Sequence, residues 1–195
     1  FYEGVIILGS EEIQMTELSF SVIEVMKGIE QFGNFDLEDL ASIDIGLLRS
    51  DSTRKHAVCR YKKGISKKDR SGPSDVRRID IHPCVLKKGW ENYARYLLFH
   101  EYIHALGISN HGPRFRALDS EWPNPTDRDI GKKFYLYLLR RNGKWIWRCR
   151  ECQFFVIRTV RCNGRYLCRR CMSVLIDVNN HQGSNEAQDF GVSLT

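Results

Sequence analysis

The sequence predicts an α+β fold in two parts, a mixed N-terminal domain and a small strand-rich C-terminal module. Three observations carry this. Two stretches of the first 125 residues repeat apolar side chains at helical spacing, around Val22 and around Leu98. Short β-branched and aromatic runs lie between them. From about Lys132 the pattern changes to aromatic runs, Asn-Gly pairs and paired cysteines. A chain of 195 residues with 42% hydrophobic content accommodates one globular domain plus a small appendage. No apolar run approaches the roughly 20 residues that span a bilayer. The opening Phe1-Tyr2-Glu3-Gly4 lacks the basic start of a signal peptide, so the expectation is a soluble, intracellular protein.

The first helix is expected over residues 16–31. Leu18, Val22, Met26 and Ile29 share one face, Ser21-x-x-Glu24 has capping-box form, and Gly33-Asn34 ends it. Residues 44–48 and 56–61 read as strands. Residues 62–78 form a basic loop carrying Lys62, Lys63, Lys67, Lys68, Arg70, Arg77 and Arg78. Arg78-Ile79-Asp80-Ile81-His82-Pro83 reads as a strand stopped by its proline. A largely buried helix is expected over residues 91–106, then a short one from Pro113 to about Ser120. The breaker cluster Trp122-Pro123-Asn124-Pro125 closes a domain of residues 1–125.

Two hairpins are expected beyond it. One joins 134–139 to 145–147 through Asn142-Gly143; the other joins 154–161 to 166–167 through Asn163-Gly164. Together they make a module over residues 132–176. Residues 177–195 carry no Lys or Arg and several Asn, Gln, Ser and Gly, the composition of a disordered tail.

The chemistry concentrates in His100-Glu101-Tyr102-Ile103-His104. Two histidines four apart lie on one helix face, one turn apart, and both imidazoles reach one metal ion. Glu101, beside the first ligand, reaches a metal-activated water rather than the metal. It is the expected catalytic general base, passing the proton on to the leaving amine. A catalytic zinc takes three protein ligands and keeps one position open. Gly107 can end the helix, and the chain can return His111 as the third ligand, with Pro113 opening the next helix. His82 is another nearby imidazole, but a histidine at a strand end is more often structural.

A second metal site is written in the cysteines. Cys149-x-x-Cys152 and Cys168-x-x-Cys171 are two knuckles fifteen residues apart, the spacing of a four-cysteine structural zinc. Cys59, Cys84 and Cys162 are left over, and an odd remainder suits a reducing compartment. Cys162 lies close enough to be a spare ligand. Two zinc ions are therefore expected, one catalytic and one structural. Strands beside each knuckle give the layout of a zinc ribbon, which depends on its metal because it buries little apolar surface.

The net charge of +6 is unevenly placed. Residues 1–50 carry 2 basic and 10 acidic side chains, whereas residues 132–171 carry 12 Lys/Arg and one acid, Glu151. That segment is as basic as a nucleic-acid-binding module. Arg148, Arg150, Arg158, Arg161, Arg165, Arg169 and Arg170 are the expected phosphate contacts, salt-sensitive and tolerant of sequence. Trp145 and Trp147, with Phe154, Phe155 and Tyr166, are candidates to stack on unpaired bases, although several must fill the ribbon's core. The 62–78 loop is either a solvated lysine-rich tip or a second surface facing DNA.

The string His100-Glu101-x-x-His104-Ala105 followed by His111-Gly112-Pro113-x-Phe115, together with the basic cysteine ribbon, resembles the SprT-like family, which includes the Spartan DNA-dependent proteases. The resemblance covers roughly residues 75–175. It implies a zincin-like metalloprotease domain with a C-terminal zinc ribbon. It also implies a catalytic zinc on His100, His104 and His111, with Glu101 as catalytic glutamate. The activity implied is proteolysis of proteins on DNA, including covalent DNA–protein crosslinks, by a DNA-associated enzyme. In such peptidases a strand edge, here expected near Arg78–Pro83, runs beside the metal helix and pairs with an extended substrate. Six residues separate His104 from His111, a shorter link than in many relatives. Two other readings compete. One is a non-proteolytic DNA-binding zinc protein. The other is a metzincin-like peptidase independent of DNA, suggested by Gly107, although that pattern would put its third histidine at Asn110.

Overall fold

A computed structural model describes residues 3–180 of the chain. It divides into two compact units that meet at Gly131 and Lys132. Among the described residues, no helix is long and apolar enough to cross a membrane.

The N-terminal unit is built on helices α1 (Glu3–Lys27) and α2 (Glu91–Ala105), which pack on each other, with α2 lying against a three-stranded sheet. Val22, Ile23 and Met26 of α1 are buried, at the three- and four-residue spacing that puts side chains on one helix face. Helix α1 starts earlier than the sequence pattern suggests and stops at Lys27, with Gly28 turning the chain; Glu30–Phe32 is a separate 3₁₀ turn. Ser19 of α1 and Tyr102 of α2 share a hydrogen bond of 2.7 Å, and Tyr102 is fully buried. Tyr102 is therefore a helix-packing residue.

The sheet has the order β1 (Ile45–Leu47), β3 (Val76–Ile81), β2 (Ala57–Tyr61). Strand β1 runs parallel to β3 and β2 antiparallel, with Cys59 opposite Ile79. Ile79 and Ile81 are completely buried under α2, burial that stabilises by about 1.5–3 kcal/mol per side chain. This corrects one expectation: the strand near Arg78–Pro83 is the sheet's centre, and the edge beside the metal helix is β2. At the strand's end His82 is fully buried, and its Nδ1 accepts the Cys84 N–H as the cap of a 3₁₀ turn. His82 is structural.

Helix α2 ends as its glycine predicts. Gly107 adopts φ 89°, a left-handed conformation, and its N–H donates to His104 O at 3.0 Å. A side chain there would also meet Ser71 O at 2.9 Å, so the 62–75 loop lies directly on this turn. Helix α3 (Pro113–Asp119) follows, with Pro113 in its first turn.

Helix α4 (Pro125–Asn142) replaces the first expected hairpin. Phe134, Leu138 and Leu139 are buried at helical, not alternating, spacing. The Asn142-Gly143 pair ends this helix: Gly143 N–H donates to Leu139 O at 2.7 Å, and a Cβ at Gly143 would collide with the Ile157 side chain. The ribbon itself is an antiparallel sheet, β5 (Phe155–Arg158), β4 (Trp145–Arg148), β6 (Ile176–Asn179). The first knuckle is the turn between β4 and β5, and the second lies between the bridged residues Leu167 and Val174. Asn163-Gly164 is a turn with both residues left-handed, but residues 166–167 pair with 174–175 rather than with β5. Strand β6 also corrects the tail boundary. Asp177 accepts the N–H groups of Cys162 (2.7 Å) and Asn163 (2.9 Å), so the ribbon continues to Asn179. Residues 181–195 of the expected tail lie outside the described residues.

Candidate functional site

His100 and His104 project from one face of α2, and the turn after Gly107 returns His111 to them. Nε2 of His111 lies 3.2 Å from Nε2 of His100 and 3.2 Å from Nε2 of His104. Ligand nitrogens on a tetrahedral zinc, at 2.0–2.1 Å from the ion, are separated by about 3.3 Å. The donor set therefore has the spacing of one ion with three imidazoles.

The opposite ring nitrogens fit a cation at this candidate site. His104 Nδ1 faces Ile108 O at 2.8 Å, and a carbonyl only accepts, so Nδ1 carries the proton. His100 Nδ1 faces the Asp119 carboxylate at 3.0 Å, with the same consequence. Both Nε2 atoms are then left with lone pairs pointing at a third imidazole. A single proton on His111 cannot fully satisfy two acceptors, whereas a cation satisfies all three. Burial also pushes His104 down to about 4, and the charges of His100 and His111 act the same way. His111 is lowered too, by burial first and His100 second. Neutral imidazoles are the form that binds metal.

Phe115 gives the triad its floor. Its buried ring lies 4.8 Å from His100, 4.6 Å from His104 and 4.6 Å from His111 between ring centroids. Asp119, 4% exposed, holds His100 from behind and accepts from Tyr96 Oη at 3.2 and 3.1 Å. Burial alone would raise Asp119, but the hydrogen bond and charge of His100, with Tyr96 and Arg128, bring it below the ordinary carboxylate range. Neither role was visible in the sequence. Phe115 stood in a motif without a function, and an orienting carboxylate has no fixed spacing from the ligand it serves.

Glu101 is buried at the cleft wall. Its Oε2 accepts the Cys59 N–H of β2 at 2.7 Å. Burial raises its carboxyl above the ordinary range, opposed by His100 and by the Cys59 N–H. The cleft, of about 550 Å³, is lined by the three histidines, Glu101, strand β2 and the loop residues Lys67 and Arg70. Because His82 N–H donates to His56 O, the backbone groups of residues 56, 58 and 60 face β3. Those of Ala57 and Cys59 face away from β3, on the Glu101 side.

In the ribbon the four expected cysteines converge. Cys149 and Cys171 Sγ are 3.3 Å apart, Cys152 and Cys168 Sγ 3.4 Å, and all four ligand atoms lie within 4.8 Å of one another. These separations are far beyond the about 2.05 Å of a disulfide and suit thiolates around one ion. Hydrogen bonding to Ser173 brings the Cys171 thiol down to about 6. Cys162 is not a ligand. It is fully buried in the ribbon core with Trp147 and Leu175, its Sγ 3.2 Å from Leu175 O.

The basic side chains differ in their surroundings. Arg150, Arg161, Arg165, Arg169 and Arg170 are exposed, while Arg148 and Arg158 are half-buried. Arg148 donates to Gln153 Oε1 at 2.7 Å. Trp147 is 8% exposed; it stacks on Tyr166 at 4.6 Å and donates Nε1–H to Val160 O. It fills the core. Trp145 is half-buried beneath the Arg161 guanidinium at 4.0 Å.

The described residues thus hold two candidate metal sites, a three-histidine and a four-cysteine cluster. Compared with family models, curated proteins and solved structures, the chain finds no match.

Proposed function

We propose that this chain is a zinc-dependent metalloendopeptidase of SprT-like type that cleaves proteins bound or crosslinked to DNA, its ribbon docking it on nucleic acid with single-stranded character. The observation that carries the reading is the convergence of three imidazole Nε2 atoms beside a buried glutamate, in a cleft walled by a strand edge. His100, His104 and His111 would hold the zinc, with Asp119 fixing the His100 ring. A zinc ion held there supplies a Lewis acid for the scissile carbonyl and a water acidified to near neutrality. Glu101 takes the proton of the attacking water and delivers it to the leaving amine; burial raises its carboxyl above the ordinary range, which makes it a stronger base than an exposed glutamate. The outward backbone groups of Ala57 and the outward Cys59 carbonyl give an extended polypeptide a strand to pair with, the Cys59 N–H being held by Glu101; such pairing is weakly selective for sequence. The ribbon's exposed arginines, with Arg161 over Trp145 and Arg170 over Phe154, support phosphate contact and stacking.

One observation favours a second reading, a DNA-binding protein whose first metal is structural: Glu101 is already engaged by the Cys59 N–H. Zinc-loaded chain incubated with histone or casein, with and without single-stranded DNA, separates the readings. Cleavage that rises with DNA and vanishes in Glu101→Gln with zinc retained is expected. Cleavage by Glu101→Gln overturns the assignment. Cleavage indifferent to DNA marks a DNA-independent peptidase, and no cleavage under any condition marks the structural reading.

A further inference from the structure

Arg70 stands in the cleft wall as a cation that nothing in the site uses. Its guanidinium lies flat over the Tyr61 ring, 3.7 Å from the centroid. Tyr61 is itself fixed, donating its hydroxyl to His104 O at 2.7 Å. Arg70 Nε is buried and has no hydrogen-bond partner among the described residues. The neighbouring loop carboxylates are committed elsewhere: Asp69 accepts from Ser66 and Asp75 from Ser71. Among the described residues Glu101 is the only acid lining the cleft, and Lys67 adds a second cation.

The loop is also held in place. The Arg70–Ser71 backbone packs on Gly107, and Ser109 Oγ donates to Lys67 O at 3.3 Å. A guanidinium whose Nε is buried and unpaired, pre-oriented by stacking, is a fork for a carboxylate. It sits over Tyr61, two residues along β2 from Cys59, where Glu101 docks. Two residues of strand span about 6.8 Å. That distance reaches a substrate group one or two residues from the bond facing Glu101.

We propose that Arg70 is a substrate-binding residue that receives a carboxylate, so the cleft prefers polypeptides with Asp, Glu or a free C-terminus one or two residues from the scissile bond. This rests on the endopeptidase reading, and the test keeps the two separable. Fluorescent peptides carrying Glu at successive positions, their Gln counterparts, and versions with free or amidated C-termini are titrated by anisotropy against full-length, zinc-loaded Glu101→Gln. The same peptides are offered for cleavage to the native chain.

The acidic peptide is expected to bind about tenfold to a hundredfold more tightly than its amide counterpart at one position. Arg70→Ala should collapse that ratio towards one, and Arg70→Lys should restore part of it. The position of the effect distinguishes a side-chain carboxylate from a terminal one. Far-ultraviolet circular dichroism and zinc content check that each variant is folded. Equal binding of acid and amide peptides overturns the proposal. So does a loss of kcat shared by both peptides at unchanged KM, which would put Arg70 on the reacting carbonyl. Displacement by a short oligonucleotide in place of an acid preference overturns it in favour of a phosphate site. Arg70-dependent acid binding without any cleavage by the native chain keeps the carboxylate site and removes the endopeptidase reading.

Discussion

The Asp119 carboxylate lies 3.0 Å from His100 Nδ1, on the side of the ring away from the other two histidines. It fixes the tautomer and the ring plane, so the Nε2 lone pair is aimed before any ion arrives. Asp119→Asn keeps the shape but loses the charge and can present its amide group to the ring. Such changes cost about 10–100-fold in metal affinity. Chelator competition should therefore show weaker zinc binding at the histidine site with the four-cysteine site unaffected. Unchanged affinity would remove Asp119 from the site.

Gly107 serves two purposes, and Gly107→Ala tests both. Its φ of 89° is disfavoured for any residue with a Cβ, and that Cβ would press on Ser71 O at 2.9 Å. The backbone term alone is about 1–2 kcal/mol. Urea unfolding of the substituted chain should show at least that loss in the N-terminal unit. Because the displaced loop carries Lys67 and Arg70, peptide binding should fall as well.

Much of this site was legible because its rules are local. The i, i+4 histidines, the helix-ending glycine and the C-x-x-C spacing each act within a turn or two of chain. What the sequence hid depends on tertiary contact. Asp119 reaches His100 across two helices, and β2 rather than β3 became the sheet edge because β1 closes the other side. Residues 134–142 misled because Asn-Gly suits a hairpin turn, while the helical burial of Phe134, Leu138 and Leu139 decided the outcome. In the ribbon, Gln153 and Met172 follow the second cysteine of each knuckle with φ 59° and 62°; neither is the glycine that would have announced such a turn.

The metal-free N-terminal unit should lose stability in mild acid. Burial lowers His104 and His56 to about 4, from an ordinary value of 6.5. Between those values the unfolded chain binds more protons than the folded one. The histidine contribution is therefore complete above about pH 6.5, declines as pH falls towards about 4, and is flat below. Glu101 works in the opposite direction, since a raised carboxyl gives stability that fades as pH rises through its folded value. Urea midpoints of apo Glu101→Gln at pH 7.5, 6 and 5 isolate the histidines and should fall in that order. A midpoint independent of pH would show that neither imidazole is held neutral.

Cys162 and Cys168 are both buried cysteines of the ribbon, and they should behave oppositely. Cys168 Sγ faces Cys152 and accepts the Arg170 N–H, as a ligand does. Cys162 faces Leu175 O inside the apolar core, with its backbone N–H held by Asp177. Two zinc ions per chain are expected for the native protein. Cys168→Ser should lower the count to one and loosen the ribbon, since a fold with so small a core depends on its metal. Trp147, stacked on Tyr166, reports this as a red shift of tryptophan emission. Cys162→Ala should keep two zinc ions and lose only packing, about 1–2 kcal/mol for a small buried side chain. Loss of zinc in Cys162→Ala with retention in Cys168→Ser would exchange their roles, because the metal count depends on which sulfur holds the ion and not on how deeply it is buried.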